Sequence, residues 1–121
     1  MQILIAEDDT TTRLMLSMTL QKLGHEVTAV SNGAEALELL QKKHYPILIS
    51  DWMMPMLDGP GLCRALRSER RQQYTYILLL TSLDGRAPYL EGMQAGADDF
   101  LSKPFDEDLL VARLRVAERI L

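Results

Sequence analysis

Cysteine is almost missing from this sequence: Cys63 stands alone among 121 residues, so an internal disulfide is excluded and no zinc-ligand spacing exists. A reducing compartment fits that usage. Long apolar runs are missing too. None approaches the ~18 to 20 residues that span a bilayer, and the first, Ile3 to Ala6, ends in acids, so a cytoplasmic protein with no membrane contact is expected. Basic residues are in deficit, 13 Lys and Arg against 17 Asp and Glu, for a net charge of −4 and a pI near 5.1. Nucleic-acid affinity comes mainly from clustered cations, so direct contact with DNA or RNA is not expected of this segment. Nor does a G-x-G-x-x-G motif follow the first apolar run. Glu7, Asp8 and Asp9 stand there instead and would repel phosphate in the absence of metal, which sets aside a dinucleotide or flavin carrier.

What is present is a regular alternation. With 47% hydrophobic, 25% charged and 6% aromatic residues, the chain has the balance of one compact domain. Short apolar runs at Gln2 to Ala6, Glu26 to Val30, Ile47 to Ser50, Ile77 to Leu80 and Phe100 to Ser102 read as strands. The first, third and fourth do not alternate with polar residues, which implies burial on both faces and hence a parallel sheet with the other two at its edges. Amphipathic stretches lie between them. Arg13 to Leu23 places Leu16, Leu20 and Leu23 on one face before Gly24, and Gly33 to Lys42 turns Ala36, Leu37 and Leu40 inward behind an Asn32/Glu35 capping box. Further helices are expected at Gly61 to Arg67, Ala87 to Ala95 and Glu107 to Leu121. Five strand–helix units with right-handed crossovers make a doubly wound α/β sandwich, whose site lies at the carboxyl ends of the strands.

Those ends carry a particular set of residues. Glu7 and Asp8 follow the first strand, Asp51 the third, Thr81 the fourth and Lys103 the fifth. Carboxylates about 4 Å apart repel by roughly 4 kcal/mol at an effective dielectric near 20, so converging acids call for a counter-charge. An all-oxygen ligand set favours Mg²⁺, with Mn²⁺ as the alternative. Lys103 adds a second positive charge and Thr81 a hydroxyl donor, a set suited to stabilising phosphoryl oxygens while Asp51 acts as nucleophile.

The stretches ILIAEDD, ISDWMMPMLDG, LLLTS and GADDFLSKPF, in that order, resemble the receiver domain of bacterial response regulators, and the resemblance covers the whole chain. It implies a flavodoxin-like sheet of strand order 2-1-3-4-5. It also implies that Asp8, Asp51 and the backbone carbonyl of Met53 ligate Mg²⁺, with Glu7 acting through a water, and that the phosphoryl donor is a histidine kinase or histidine phosphotransfer domain. A switch is implied as well: Thr81 moves toward the phosphoryl group and Phe100 packs into the vacated space, altering the face formed by the fourth helix, fifth strand and fifth helix. That face would control an output domain or partner, and Arg113 with Asp99 would supply a pair for a homodimer through it. A receiver catalyses only its own phosphorylation and dephosphorylation. Met53 and Leu83, two residues beyond Asp51 and Thr81, are apolar and cannot orient an attacking water, so slow self-dephosphorylation is expected.

Other residues have plainer readings. Asp9 is expected to cap a helix, Asp58 and Gly59 to shape a loop, and Pro104 to aim Lys103, with a cis bond one means of doing so. His25 and His44 are expected on the surface away from the site, Cys63 in the packing, and Trp52 both in the core and as a fluorescent reporter. In the last helix, Leu110, Leu114, Ala117 and Leu121 should face the sheet, leaving Leu109, Ala112, Val116 and Ile120 as a second seam compatible with a coiled coil. That seam suggests the N-terminal part of a longer chain. The alternatives are an Mg²⁺-dependent aspartyl-phosphate phosphatase, for which a cap and a second acid after Asp51 are lacking, and an interaction module that works without phosphorylation.

Overall fold

The computed structural model describes residues 1–82 and 87–121 together with the backbone of residue 86; Leu83 lies outside the described residues. Its elements run β1 (Gln2–Ala6), α1 (Thr10–Lys22), β2 (Glu26–Val30), α2 (Gly33–Lys42), β3 (Ile47–Asp51), α3 (Gly59–Ser68), β4 (Tyr76–Thr81), α4 (Arg86–Ala95), β5 (Asp99–Ser102) and α5 (Glu107–Ile120). The strands form one parallel sheet in the order β2-β1-β3-β4-β5. This is the expected doubly wound topology, with the two partly exposed strands at the edges.

Side-chain alternation along each central strand divides the core in two. Ile3, Ile5, Ile47, Ile49, Leu78 and Leu80 meet Leu16 and Leu20 of α1 and Leu110, Leu114 and Ala117 of α5. On the opposite face Leu4, Leu48, Ile77 and Leu79 meet Ala36 and Leu40 of α2 and Leu62, Cys63 and Leu66 of α3. A strand apolar at every position is therefore buried twice over, which is why the three uninterrupted runs occupy the centre.

Helix starts are set by capping side chains, and two begin earlier than apolar periodicity indicates. Asp9 accepts from the N–H of Thr12 at 2.8 Å, so α1 begins at Thr10 rather than Arg13. Asp58 accepts from the N–H of Gly61 at 2.8 Å and starts α3 at Gly59, with Pro60 in the first turn, where its missing N–H costs nothing. Asn32 caps α2 through the N–H of Glu35 at 2.8 Å. At the far end of α1, Gly24 takes φ +89, the left-handed conformation that ends a helix.

Three expectations fail. Leu23 and Leu121 are exposed instead of facing the core, because α1 closes before Leu23 and α5 before Leu121, so neither continues its helical stripe. His25 is not a surface residue: its side chain is 9% exposed, its Nδ1 lies 3.2 Å from the N-terminal ammonium and its Nε2 3.6 Å from Glu118. His44 is half-buried. Both histidines sit at the amino ends of strands, opposite the site.

Cys63 packs with the core as expected, and burial pushes its thiol up to about 12. In native buffer near pH 8, Cys63 should resist thiol-labelling reagents, and labelling should appear only with the global unfolding transition in a denaturant titration. Rapid native-state labelling would contradict the packing described.

Candidate functional site at the strand ends

The carboxyl ends of β1, β3, β4 and β5 converge, and each delivers one polar side chain. Glu7 follows β1, its backbone N–H anchored on the Val30 carbonyl at 3.1 Å. Asp51 ends β3, Thr81 ends β4, and Lys103 follows β5 with its N–H on the Thr81 carbonyl at 2.7 Å. Glu7 is fully buried, Asp51 is 8% exposed and Thr81 7%. Asp8 remains exposed at the rim.

The charges meet at Lys103. Its Nζ lies 2.8 Å from Glu7 Oε1 and 3.1 Å from Asp51 Oδ1. Carboxylate oxygens of Glu7, Asp8 and Asp51 all lie within 4.8 Å of one another. Among the described residues three acids thus face a single ammonium, which leaves an excess of negative charge in a partly dry pocket. Burial pushes Glu7 above the ordinary carboxylate range; Lys103 pulls it back, and neighbouring Asp51 adds to the rise. Burial alone would lower Lys103, but the two carboxylates outweigh it and hold the ammonium more firmly protonated than a free lysine.

Local backbone geometry fixes these groups. Trp52 N–H is shared between Asp51 Oδ1 at 2.9 Å and the Leu80 carbonyl at 2.8 Å, so the nucleophile candidate is tied to the adjoining strand end. Gly59 donates to the Trp52 carbonyl at 2.8 Å, and a Cβ there would sit 2.6 Å from the Asp51 carbonyl oxygen. Only glycine lets α3 start this close to the site. Between them Met56 adopts φ 72 in an exposed loop, while Met53 turns its side chain to solvent. The Lys103–Pro104 peptide bond is cis. Phe100 is half-buried beside Trp52.

Asp9 does not join the carboxylate cluster. Its side chain is spent on Thr12, whose hydroxyl donates at 2.6 Å, and the Thr12 hydroxyl and N–H hold Asp9 below the usual carboxylate range. Arg113 and Asp99 are already paired within the chain at 3.4 Å.

Arg13 is a participant that sequence reasoning missed. Its Nη1 donates to the Glu7 carbonyl at 2.8 Å and lies 3.5 Å from the Asp8 carbonyl. A trans peptide is planar, so the bond to the Glu7 carbonyl fixes the N–H of Asp8 and the longer contact at the Asp8 carbonyl bears on the N–H of Asp9. The N–H of Asp9 donates to Glu7 Oε2 at 3.2 Å, and the carboxylate is held from both oxygens. The signal was a cation near the start of α1, where the helix dipole favours acids.

Comparison with known proteins gives a consistent answer. A family model, the response regulator receiver domain, matches residues 3–115. The response regulator MprA of Mycobacterium leprae is 40% identical over 119 residues, covering 98% of this chain and 51% of that one. The chain spans about half the length of the curated relatives it matches. Among solved structures, the receiver domain of the Francisella response regulator 1452 superposes with a TM-score of 0.90 at 33% identity, covering 99% of this chain and 98% of that one. The receiver domain of a Pseudomonas aeruginosa sensor histidine kinase, solved with a magnesium ion coordinated in its active-site cleft, gives 0.85 at 29% identity, covering 98% and 94%.

If Arg13 orients the turn after β1, Arg13→Gln should speed amide exchange at Asp8 and Asp9 while Ile3, Leu4 and Ile5 stay protected. Exchange unchanged at both acids would remove that role.

Proposed function

The chain belongs to the response regulator receiver family, and from that premise we propose that it is a phosphoacceptor switch in which Asp51 takes the phosphoryl group. One observation carries the reading: Asp51 is the buried member of a carboxylate cluster and its Oδ1 lies 3.1 Å from the Lys103 ammonium. Receiver domains interact with histidine kinases, and a kinase or a histidine phosphotransfer domain is the donor proposed here. A cleft of about 500 Å³ lined by Thr12, Met15, Ser82, Lys103, Pro104 and Phe105 opens beside the site, and exposed Leu14 and Met18 extend the apolar surface of α1. That surface suits a docking helix of the donor.

In the transfer, a carboxylate oxygen of Asp51 bonds to phosphorus as the phosphorus–nitrogen bond of phosphohistidine breaks. The bonding pair leaves with the imidazole. With acetyl phosphate the phosphorus–oxygen bond breaks and acetate leaves. Lys103, released from part of its contact with Asp51, faces the phosphoryl oxygens, and Glu7 keeps its other side.

An all-oxygen cluster with three acids and one ammonium fits a hard divalent cation. Asp8, Asp51 and the Met53 carbonyl would hold Mg²⁺, or Mn²⁺ in its place, with Glu7 behind them. When bound, the ion supplies positive charge against the phosphoryl oxygens.

The chain's own residues then carry the signal. Thr81 and Phe100 are proposed to rearrange and alter the α4–β5–α5 face, where Tyr89, Leu90, Met93, Leu109 and Ile120 are exposed. An output domain, a partner or a second copy of the chain would read that face. Receivers are generally switches rather than enzymes, and turnover here would be limited to the phosphoryl group on Asp51. Among the described residues no helix is long and apolar enough to cross a membrane, and the proposed setting is the cytoplasm.

Intact mass after incubation with Mg²⁺ and acetyl phosphate should show one added phosphoryl group, absent without metal and absent in Asp51→Asn. No adduct with acetyl phosphate or with an authentic kinase would exclude the switch and favour a module that works without phosphorylation. Because Met53 is apolar and exposed beside Asp51, the adduct should decay slowly, and Met53→Asn should shorten its lifetime. A lifetime of only seconds, unchanged by Met53→Asn, would rule out this account of its persistence.

A further inference from the structure

Gly92 lies in the interior of α4, where glycine is the least favourable residue apart from proline. Its backbone does not require glycine, since among the described glycines only Gly24 and Gly96 have positive φ, and Gly96 already ends the helix. Gly92 is buried. A Cβ there would stand 2.4 Å from Cζ and 2.6 Å from Cε1 of Phe100, and 3.1 Å from Cζ3 of Trp52. The missing side chain is therefore the space in which the Phe100 ring sits.

That ring touches both ends of the proposed switch. Trp52, next to the acceptor, has its ring centroid 6.4 Å from that of Phe100, and the Tyr89 ring on α4 has its centroid 5.0 Å away. Tyr89 is 52% exposed. The Phe100 carbonyl accepts from Arg113 Nε of α5 at 3.4 Å, so residue 100 meets α4 through its ring and α5 through its backbone.

We propose that Gly92 is a positioning residue of the phosphoacceptor switch: the slot it leaves in α4 holds Phe100 between Trp52 and Tyr89 and so stabilises the phosphorylation-competent arrangement. This deepens the receiver reading and rests on it. The three atoms nearest a methyl group added at position 92 belong to Phe100 and Trp52 and none to Glu7, Asp8, Asp51 or Lys103, so the ring is what it displaces first. Helix propensity by itself acts in the opposite direction, because alanine favours α4 more than glycine does.

The test is a double-mutant cycle on the 121-residue chain with Gly92→Ala, Phe100→Ala and the double variant, read by acetyl-phosphate phosphorylation rate, Mg²⁺ affinity from Trp52 fluorescence, and ring proton shifts of Phe100. Gly92→Ala is expected to move the Phe100 ring shifts toward solvent-exposed values and to slow phosphorylation roughly three- to tenfold, the range an aromatic pair is worth. Mg²⁺ affinity should hold. In the Phe100→Ala background the same methyl should change the rate by less than about twofold, since the slot is then empty. Should Gly92→Ala misfold, recovery of the fold in the double variant supports the slot, and continued misfolding overturns it. An equal slowing in both backgrounds, or unchanged ring shifts, also overturns it. Failure of the wild type to accept a phosphoryl group would instead remove the receiver reading and this role with it, even if the ring still moved.

Discussion

The arrangement at the strand ends depends on one cation among acids, the Lys103 ammonium lodged between Glu7 and Asp51. A carboxylate as deeply buried as Glu7 keeps its charge only when a partner and good hydrogen bonds replace the water it has lost. Glu7 has both, Lys103 on one oxygen and the Asp9 N–H on the other. Breaking such a pair from one side leaves an uncompensated buried charge, so the ends of β1, β3 and β5 are held together electrostatically as well as by their ladders. The excess of acid over base that remains is the physical ground for the proposed divalent cation and phosphoryl group.

The opposite end of the sheet is fastened differently. Arg67 of α3 donates to the Gly96 carbonyl at 3.1 Å and to Asp98 at 2.9 Å, while stacking over the Tyr74 ring. Tyr74 in turn bonds Asp98, whose carboxylate accepts from the N–H of Ile77 at 2.8 Å. Arg71 similarly ties Glu69 and the Leu40 carbonyl, joining α2 to the loop before β4. These clamps fix the amino end of β4 and the turn into β5. At the other end, Phe100 rests against α4 in the space that Gly92 leaves, where an added Cβ would stand 2.4 Å from the ring.

Much of the fold was legible because its signals are local. Uninterrupted apolar runs identify strands buried on both faces, and the parallel pairing and edge positions follow from that, whereas the strand order came with the resemblance to receiver domains. Cap residues were recognisable as types, yet the true starts of α1 and α3 depended on which side chain closed the first turn. Leu23 and Leu121 were misread for the same reason, since a stripe extrapolated past the last helical residue no longer points at the core. The polar residues at the strand ends could be chosen as a group because topology sends every parallel strand end to the same edge of the sheet.

By itself, then, the sequence determined the class of fold, the strand that carries each polar residue, and the chemistry those residues share, since all three follow from residue types at short spacing. Tertiary structure alone decided how they divide the work. It buried Glu7 and left Asp8 at the rim, spent Asp9 on a helix cap, enclosed His25, recruited Arg13 to the turn behind the acids, and gave Gly92 its neighbour Phe100. Each of these rests on contact geometry, the longest being the Lys103–Glu7 bond across a sequence separation of 96. Distances of that kind are set by how the layers pack, and no local pattern encodes them.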